Sequence, residues 1–115
     1  MTISFEEFAT YREIKSQTEA WTQALELTRT IQLPKAENYD QVLFTGCGST
    51  YYLSLASAAL YQELTGRVAR AIPASELLLN SKTILENHEY LLVAISRSGT
   101  TTETVRAVEK FRAEK

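Results

Sequence analysis

Two short apolar runs, Gln41-Val42-Leu43-Phe44-Thr45 and Tyr90-Leu91-Leu92-Val93-Ala94-Ile95, do most to limit what this chain can fold into. Neither alternates apolar with polar residues and both are rich in strand formers, so both read as strands buried on two faces. Each run breaks into a turn of glycine and hydroxyl residues. The first turn is Gly46-Cys47-Gly48-Ser49-Thr50, and the second is Ser96-Arg97-Ser98-Gly99-Thr100-Thr101-Thr102. After the first, Leu53, Ala56, Leu60 and Leu64 recur at helical spacing as far as Gly66, a natural C-terminal cap. Small residues at 54–59 permit that helix to pack closely on a sheet. After the second, Val105, Val108 and Phe111 mark a final amphipathic helix. Between them, residues 67–72 alternate and read as a strand nearer an edge, while Pro73 and Ser75-Glu76 begin a short helix through Asn80. Strand and helix thus alternate three times, which implies an α/β class, a parallel sheet with right-handed crossovers. Three strands are fewer than the five or so of a typical sheet, so the fold is expected to be incomplete.

A helical leader precedes this pattern. Ser4 is placed to cap a short turn at residues 5–8, and from Thr10 onward Ile14, Trp21, Ala24, Leu25 and Thr28 fall on roughly one stripe. Pro34 stops the helix, because it lacks a donor and biases Leu33 away from helical geometry. The expected organisation is a helical segment over 1–34 and an α/β domain over 35–115. A chain of 115 residues has room for one modest core.

Composition narrows the function. Twelve basic and 14 acidic residues leave a net charge of -2, which gives no broad footprint for nucleic acid or an anionic membrane. No apolar run approaches the ~18 residues of a spanning helix, and Met1 does not open a secretory leader. Cys47 is the only cysteine, so an internal disulfide and a Cys-rich metal site are excluded. His88 is the only histidine, which rules out a two-His zinc site. A cytoplasmic protein is the expectation.

The two turns carry the chemistry. In an open parallel sheet, ligands bind beyond the carboxyl ends of the strands, where neighbouring crossovers diverge. Each turn lies at such an end and feeds a helix N-terminus, whose free N–H groups and positive dipole attract an anion. Ser and Thr hydroxyls add donors to phosphate oxygens and accept from sugar hydroxyls. Gly48 and Gly99 let the backbone come close to a ligand. Arg97 adds a forked cationic contact. The combination describes a site for a small anionic, hydroxyl-rich molecule such as a phosphosugar. It is not a nucleotide loop. No Lys follows either glycine as a Walker loop requires, and Tyr51 stands where a dinucleotide fingerprint has its third glycine.

Three strings in order, Phe44-Thr45-Gly46-Cys47-Gly48-Ser49-Thr50-Tyr51, Ala74-Ser75-Glu76 and Ile95-Ser96-Arg97-Ser98-Gly99-Thr100-Thr101, resemble the sugar isomerase (SIS) domain. More narrowly, they look like the first SIS module in the isomerase half of glutamine–fructose-6-phosphate aminotransferase and its isomerase and deaminase relatives. Upstream, Tyr11-Arg12-Glu13-Ile14-Lys15-Ser16-Gln17 is similar to the family's opening K/R-E-I-x-x-Q-P, with Thr18 in place of the proline. The resemblance covers residues 11 to about 112. It implies a flavodoxin-like, three-layer α-β-α fold. It places Ser96, Arg97, Ser98 and Thr101, with Gly99 between them, where the family holds the sugar phosphate. It places Cys47, Gly48, Ser49 and Thr50 where the family contacts the sugar and supports the phosphate end. Arg97 departs from the aminotransferase's usual Gln and looks like the deaminase and ketose/aldose isomerase branch. The family's catalytic Glu, ring-opening His and C-terminal Lys belong to a second module and have no counterpart in this sequence.

The expected ligand is therefore a phosphorylated hexose or aminohexose. The chain is read as the first SIS half of an aldose–ketose isomerase or an aminosugar-phosphate isomerase/deaminase, with no metal or organic cofactor implied and a homodimer as the assembly. The alternative is a non-catalytic phosphosugar-sensing module of a regulator. Several residues also have plainer roles. Thr100 and Glu103 form a capping box, Cys47 is a small turn residue rather than a nucleophile, and Arg97 has a surface ion pair as its alternative. His88 reads as a solvated loop residue, and Trp21, Tyr51, Tyr52 and Tyr61 as packing or dimer-contact residues.

Overall fold

The computed structural model describes residues 4–115, and the chain divides into two compact units, Met1–Pro34 and Lys35–Lys115. In the first, a 3-10 turn at Phe5–Glu7 leads into helix α1, Ala9–Thr30. Ser4 does not cap this turn through its side chain; its carbonyl instead accepts the Glu7 N–H at 3.2 Å. The Arg12 guanidinium donates to the carbonyls of Glu6 and Glu7 at 2.9 and 3.0 Å, tying the turn to the helix. α1 stops before the proline demands it, with Ile31 already extended. None of its residues is buried, so the stripe of Ile14, Trp21 and Leu25 lies exposed.

The second unit is a parallel sheet in the order β2-β1-β3, with β1 Gln41–Gly46, β2 Ala69–Pro73 and β3 Tyr90–Ala94. Helix α2, Ser49–Thr65, connects β1 to β2, and the short α3, Ala74–Leu79, and α4, Ser81–Ile84, connect β2 to β3. Helix α5, Thr102–Glu114, follows β3. The central strand is the continuous apolar run, and Val42, Leu43, Phe44, Thr45 and Gly46 are all buried in it. Two hydrophobic clusters form around the sheet. Val42 and Phe44 pack with Ala58 of α2 and Ala69 of β2, while Ala74, Leu77 and Ala107 of α3 and α5 form the other cluster with Ile72 and Leu92. This is a helix–sheet–helix arrangement, as the element order requires.

Two expectations need correction. β3 was expected to be buried on both faces, yet Leu91, Leu92 and Val93 are half-buried, because among the described residues β3 has a strand on one side only. The second strand begins at Ala69 rather than Arg67, whose guanidinium reaches back to the carbonyls of Ala36 and Tyr39 at 3.1 and 2.7 Å. Pro73 both closes this edge strand opposite Gly46 and caps the start of the helix, as expected, a position where its missing donor does no harm. On α2 the residues against the sheet are Ser54 and Ala58, within the small-residue run expected to pack there, while Leu53, Leu60 and Leu64 are exposed. Small side chains let the helix axis come close to the strands, which turns the bulky stripe outward.

Candidate functional site

The site is set by the path of the chain. From β1 the chain crosses through α2 to β2 on one side, then returns past β1 to β3 on the other. The two crossovers diverge at the carboxyl ends of β1 and β3, which makes the gap between them a topological switch point. A cavity of about 300 Å³ opens there, lined by Cys47, Ser49, Thr50, Arg97, Ser98 and Thr101. Residues more than 45 positions apart in sequence thus share one wall. Gly48, Ser96 and Gly99 do not line it; Ser96 and Gly99 face a neighbouring cavity beside Val105 and Arg112.

The first turn is held from below. A Cβ built on Gly46 would lie 2.6 Å from both the carbonyl carbon and Oγ1 of Thr50, so only glycine allows α2 to start this close to β1. Sequence reasoning passed over Gly46 as a simple strand break, although a glycine inside a strand pattern marks close backbone approach. Gly48 follows with φ of 59°, a conformation side chains rarely adopt, and re-aims the chain into α2. The Thr50 hydroxyl closes the turn in both directions. Oγ1 accepts the Cys47 N–H at 2.9 Å and donates its own proton to the Cys47 carbonyl at 2.9 Å. Behind it, the buried Ser54 hydroxyl donates to the Thr50 carbonyl at 2.8 Å. Ser49 stands at the first position of α2, exposed toward the cavity.

The second turn is built differently. Ser96 Oγ accepts the Gly99 N–H at 3.0 Å, and Gly99 turns the loop with φ of 70°. Ser98 Oγ accepts twice, from the Thr100 N–H at 3.2 Å and the Thr100 hydroxyl at 3.1 Å. Both lone pairs of Ser98 are therefore occupied and its proton is left to donate. The expected capping box is absent. Thr101, not Thr100, is the N-cap of α5, and it makes no side-chain capping bond. Arg97 is exposed and forms no ion pair with another described residue. Among the described residues it is the one charged group in the cavity wall.

The remaining candidates sit elsewhere. Ser75 and Glu76 are exposed in α3, and Glu76 accepts from the Asn80 amide at 2.8 Å. His88 lies between Asp40 and Glu86, 3.6 Å from each. Tyr61 packs on Phe44 in the core, and Tyr51 and Tyr52 pair at 5.8 Å with Tyr52 exposed. Among the described residues no cluster of three His, Cys, Asp or Glu could hold a metal ion, and no helix is long and apolar enough to cross a membrane.

Residues 37–115 match the family profile of the SIS domain. The chain belongs to the SIS domain family. A glutamine–fructose-6-phosphate aminotransferase [isomerizing] of Helicobacter pylori is 38% identical over 78 residues, 68% of this chain and 13% of that protein. D-galactosamine-6-phosphate deaminase AgaS of Escherichia coli is 29% identical over 110 residues, 87% of this chain and 28% of that protein. The crystal structure of tagatose-6-phosphate ketose/aldose isomerase from Escherichia coli superposes with a TM-score of 0.85 at 25% identity, covering 97% of this chain and 33% of that one. This SIS chain thus spans less than a third of the length of the curated relatives it matches. The fold and the SIS family are those the motifs pointed to.

Proposed function

We propose that this SIS chain binds a phosphorylated hexose or aminohexose, as the first half of an aldose–ketose sugar-phosphate isomerase or an aminosugar-phosphate isomerase/deaminase. The observation that carries the reading is the meeting of two hydroxyl-rich strand-to-helix turns in one cavity at the switch point of the sheet. Ser98, with its proton free, and Arg97, without an ionic partner, take the phosphoryl end; Thr101 and the first turn of α5 add donors to it. Ser49 and Cys47 face the sugar hydroxyls, and Ser96 and Gly99 hold the shape of the phosphate loop.

The reaction this reading implies moves a proton between C1 and C2 of the opened sugar, a step suited to a carboxylate general base. Among the described residues no carboxylate lines the cavity. The contribution of these residues is then to anchor a non-reacting phosphate, so that binding energy orients the reacting carbons. Arg97, where the aminotransferase usually has Gln, supports those chemistries over amide transfer, and relatives named for all three are similar to this chain.

The test is a thermal-shift titration with fructose 6-phosphate, glucosamine 6-phosphate and their unphosphorylated parents. The phosphorylated sugars should raise the unfolding temperature and the parents should not. Equal shifts, or none, would refute phosphosugar binding.

A further inference from the structure

Helix α1 buries none of its 22 residues, and Ile14, Trp21 and Leu25 are 58, 65 and 65% exposed. A helix of this length is marginal in water by itself, because most helical stability comes from packing an apolar stripe against something else. Tyr11, Ile14, Thr18, Trp21, Leu25 and Thr28 recur at intervals of 3, 4, 3, 4 and 3, the spacing of a narrow helix–helix seam rather than of the wider face that packs on a sheet. The stripe is also its own complement. Set antiparallel with residue 18 opposite residue 21, two copies bring Tyr11 against Thr28, Ile14 against Leu25 and Thr18 against Trp21, each layer occurring twice about a two-fold axis. The bulkiest side chain thus meets a small one. The Thr28 hydroxyl already donates to the Leu25 carbonyl at 2.7 Å, so covering it leaves no donor unpaired.

Charge selects the same register. Lys15, Glu26 and Arg29 flank the stripe, and none forms an ion pair with another described residue. A cavity of about 560 Å³ at the start of α1 is lined by Glu6, Tyr11, Arg12, Lys15 and Ser16. In the antiparallel register the last turns of the second copy arrive there, with Glu26 of that copy beside Lys15 and its Arg29 beside Glu6. Arg12, the like charge nearest that Arg29, has its guanidinium bound to the carbonyls of Glu6 and Glu7. We propose that α1 is a self-association helix, whose exposed stripe pairs antiparallel with the same stripe of a second copy of this chain. The inference is independent of the phosphosugar reading.

The experiment follows the full chain by sedimentation over a range of concentrations, with the emission of Trp21, the only tryptophan, as a second readout. The parent should form a dimer, and Trp21 emission should move to shorter wavelength as concentration rises through the transition. Ile14→Ser/Trp21→Ser should sediment as a monomer. Lys15→Glu and Glu26→Lys change exposed side chains, so folding is left intact. Each should weaken the dimer about fivefold, since each sets two like-charge pairs across the seam. Combining the two swaps should restore the dimer to within about twofold of the parent. A parallel pair does not bring residue 15 to residue 26, and there the combined swap would rescue nothing. A monomeric parent, a dimer that survives Ile14→Ser/Trp21→Ser, or charge swaps without effect or without rescue would each overturn the proposal. A monomer whose Trp21 already emits as a buried indole would overturn it too, and would show the stripe to be covered within one chain.

Discussion

Replacing Gly46 by alanine tests whether the geometry beneath the first turn is as tight as it looks. The added Cβ would meet the carbonyl carbon, Oγ1 and carbonyl oxygen of Thr50 at 2.6, 2.6 and 2.7 Å. Ordinary contact begins at 3.4 Å, so α2 and β1 must separate by about 0.8 Å (from 2.6 to 3.4 Å). Two of the three atoms are backbone, at the start of a helix whose Ser54 and Ala58 are packed on the sheet. Rotation of one side chain therefore cannot relieve the clash. Forcing extra volume into a packed core costs typically 1–3 kcal/mol, and the backbone contact puts this case at the upper end, about 2–3 kcal/mol. Lower chain entropy in the unfolded alanine variant returns about 0.4–1 kcal/mol, leaving a net loss of about 2 kcal/mol. Urea unfolding followed by circular dichroism measures it, with Gly99→Ala as the control. At Gly99 nothing lies within 4 Å of a built Cβ and the cost is that of the left-handed backbone alone, about 1 kcal/mol. A Gly46→Ala loss no larger than that of Gly99→Ala would show that the turn yields freely, and the steric reasoning would be wrong.

Ser98→Ala should weaken binding of a phosphorylated sugar by about 1–2 kcal/mol through loss of a charge-assisted hydrogen bond, with no matching loss in stability; an unchanged dissociation constant by calorimetry counts against Ser98 as a ligand. Arg97→Gln should reduce glucosamine 6-phosphate affinity more at low than at high ionic strength, since an exposed guanidinium acts through a screened field. A loss that does not vary with salt would contradict that account. Thr45→Val removes the bond from the fully buried Thr45 hydroxyl to the Ile72 carbonyl at 2.7 Å, and should cost about 1–2 kcal/mol of stability in urea unfolding. Because Thr45 does not line the cavity, sugar-phosphate affinity should stay within about twofold, and a larger fall would mean the strand sets the site more directly than drawn here.

What the sequence made legible follows from where its signals are local. The limits of α2 at Ser49 and Thr65 could be read because a glycine flanks each end, and both Gly48 and Gly66 adopt the positive φ that justifies them. The edge position of β2 was readable from its alternation. The single turn of α4 was not, since Ser81–Ile84 is too short to express a period. Which side of α2 meets the sheet was legible in its small residues rather than in its leucines. Leu53, Leu60 and Leu64 give the stronger hydrophobic signal, but the depth of packing is decided by the small residues Ser54 and Ala58.

The candidate site divides along the same line. That the two turns lie at strand ends is a property of element order, and parallel pairing of β1 with β3 brings them together without any further information. What each hydroxyl can give is a property of coordinates. By composition the turns look alike, two sets of Ser and Thr around a positive-φ glycine. Bond by bond they differ: Ser98 has both lone pairs filled and a free proton, whereas Thr50 has its proton bound inside its own turn. An anion distinguishes these two states even though a residue pattern cannot. The charged donor, Arg97, is thus on the β3 side beside Ser98, and on the β1 side Ser49 is the hydroxyl left to meet a ligand. A ligand with a phosphate at one end and hydroxyls at the other has the matching polarity, and it should lie with its phosphate toward α5.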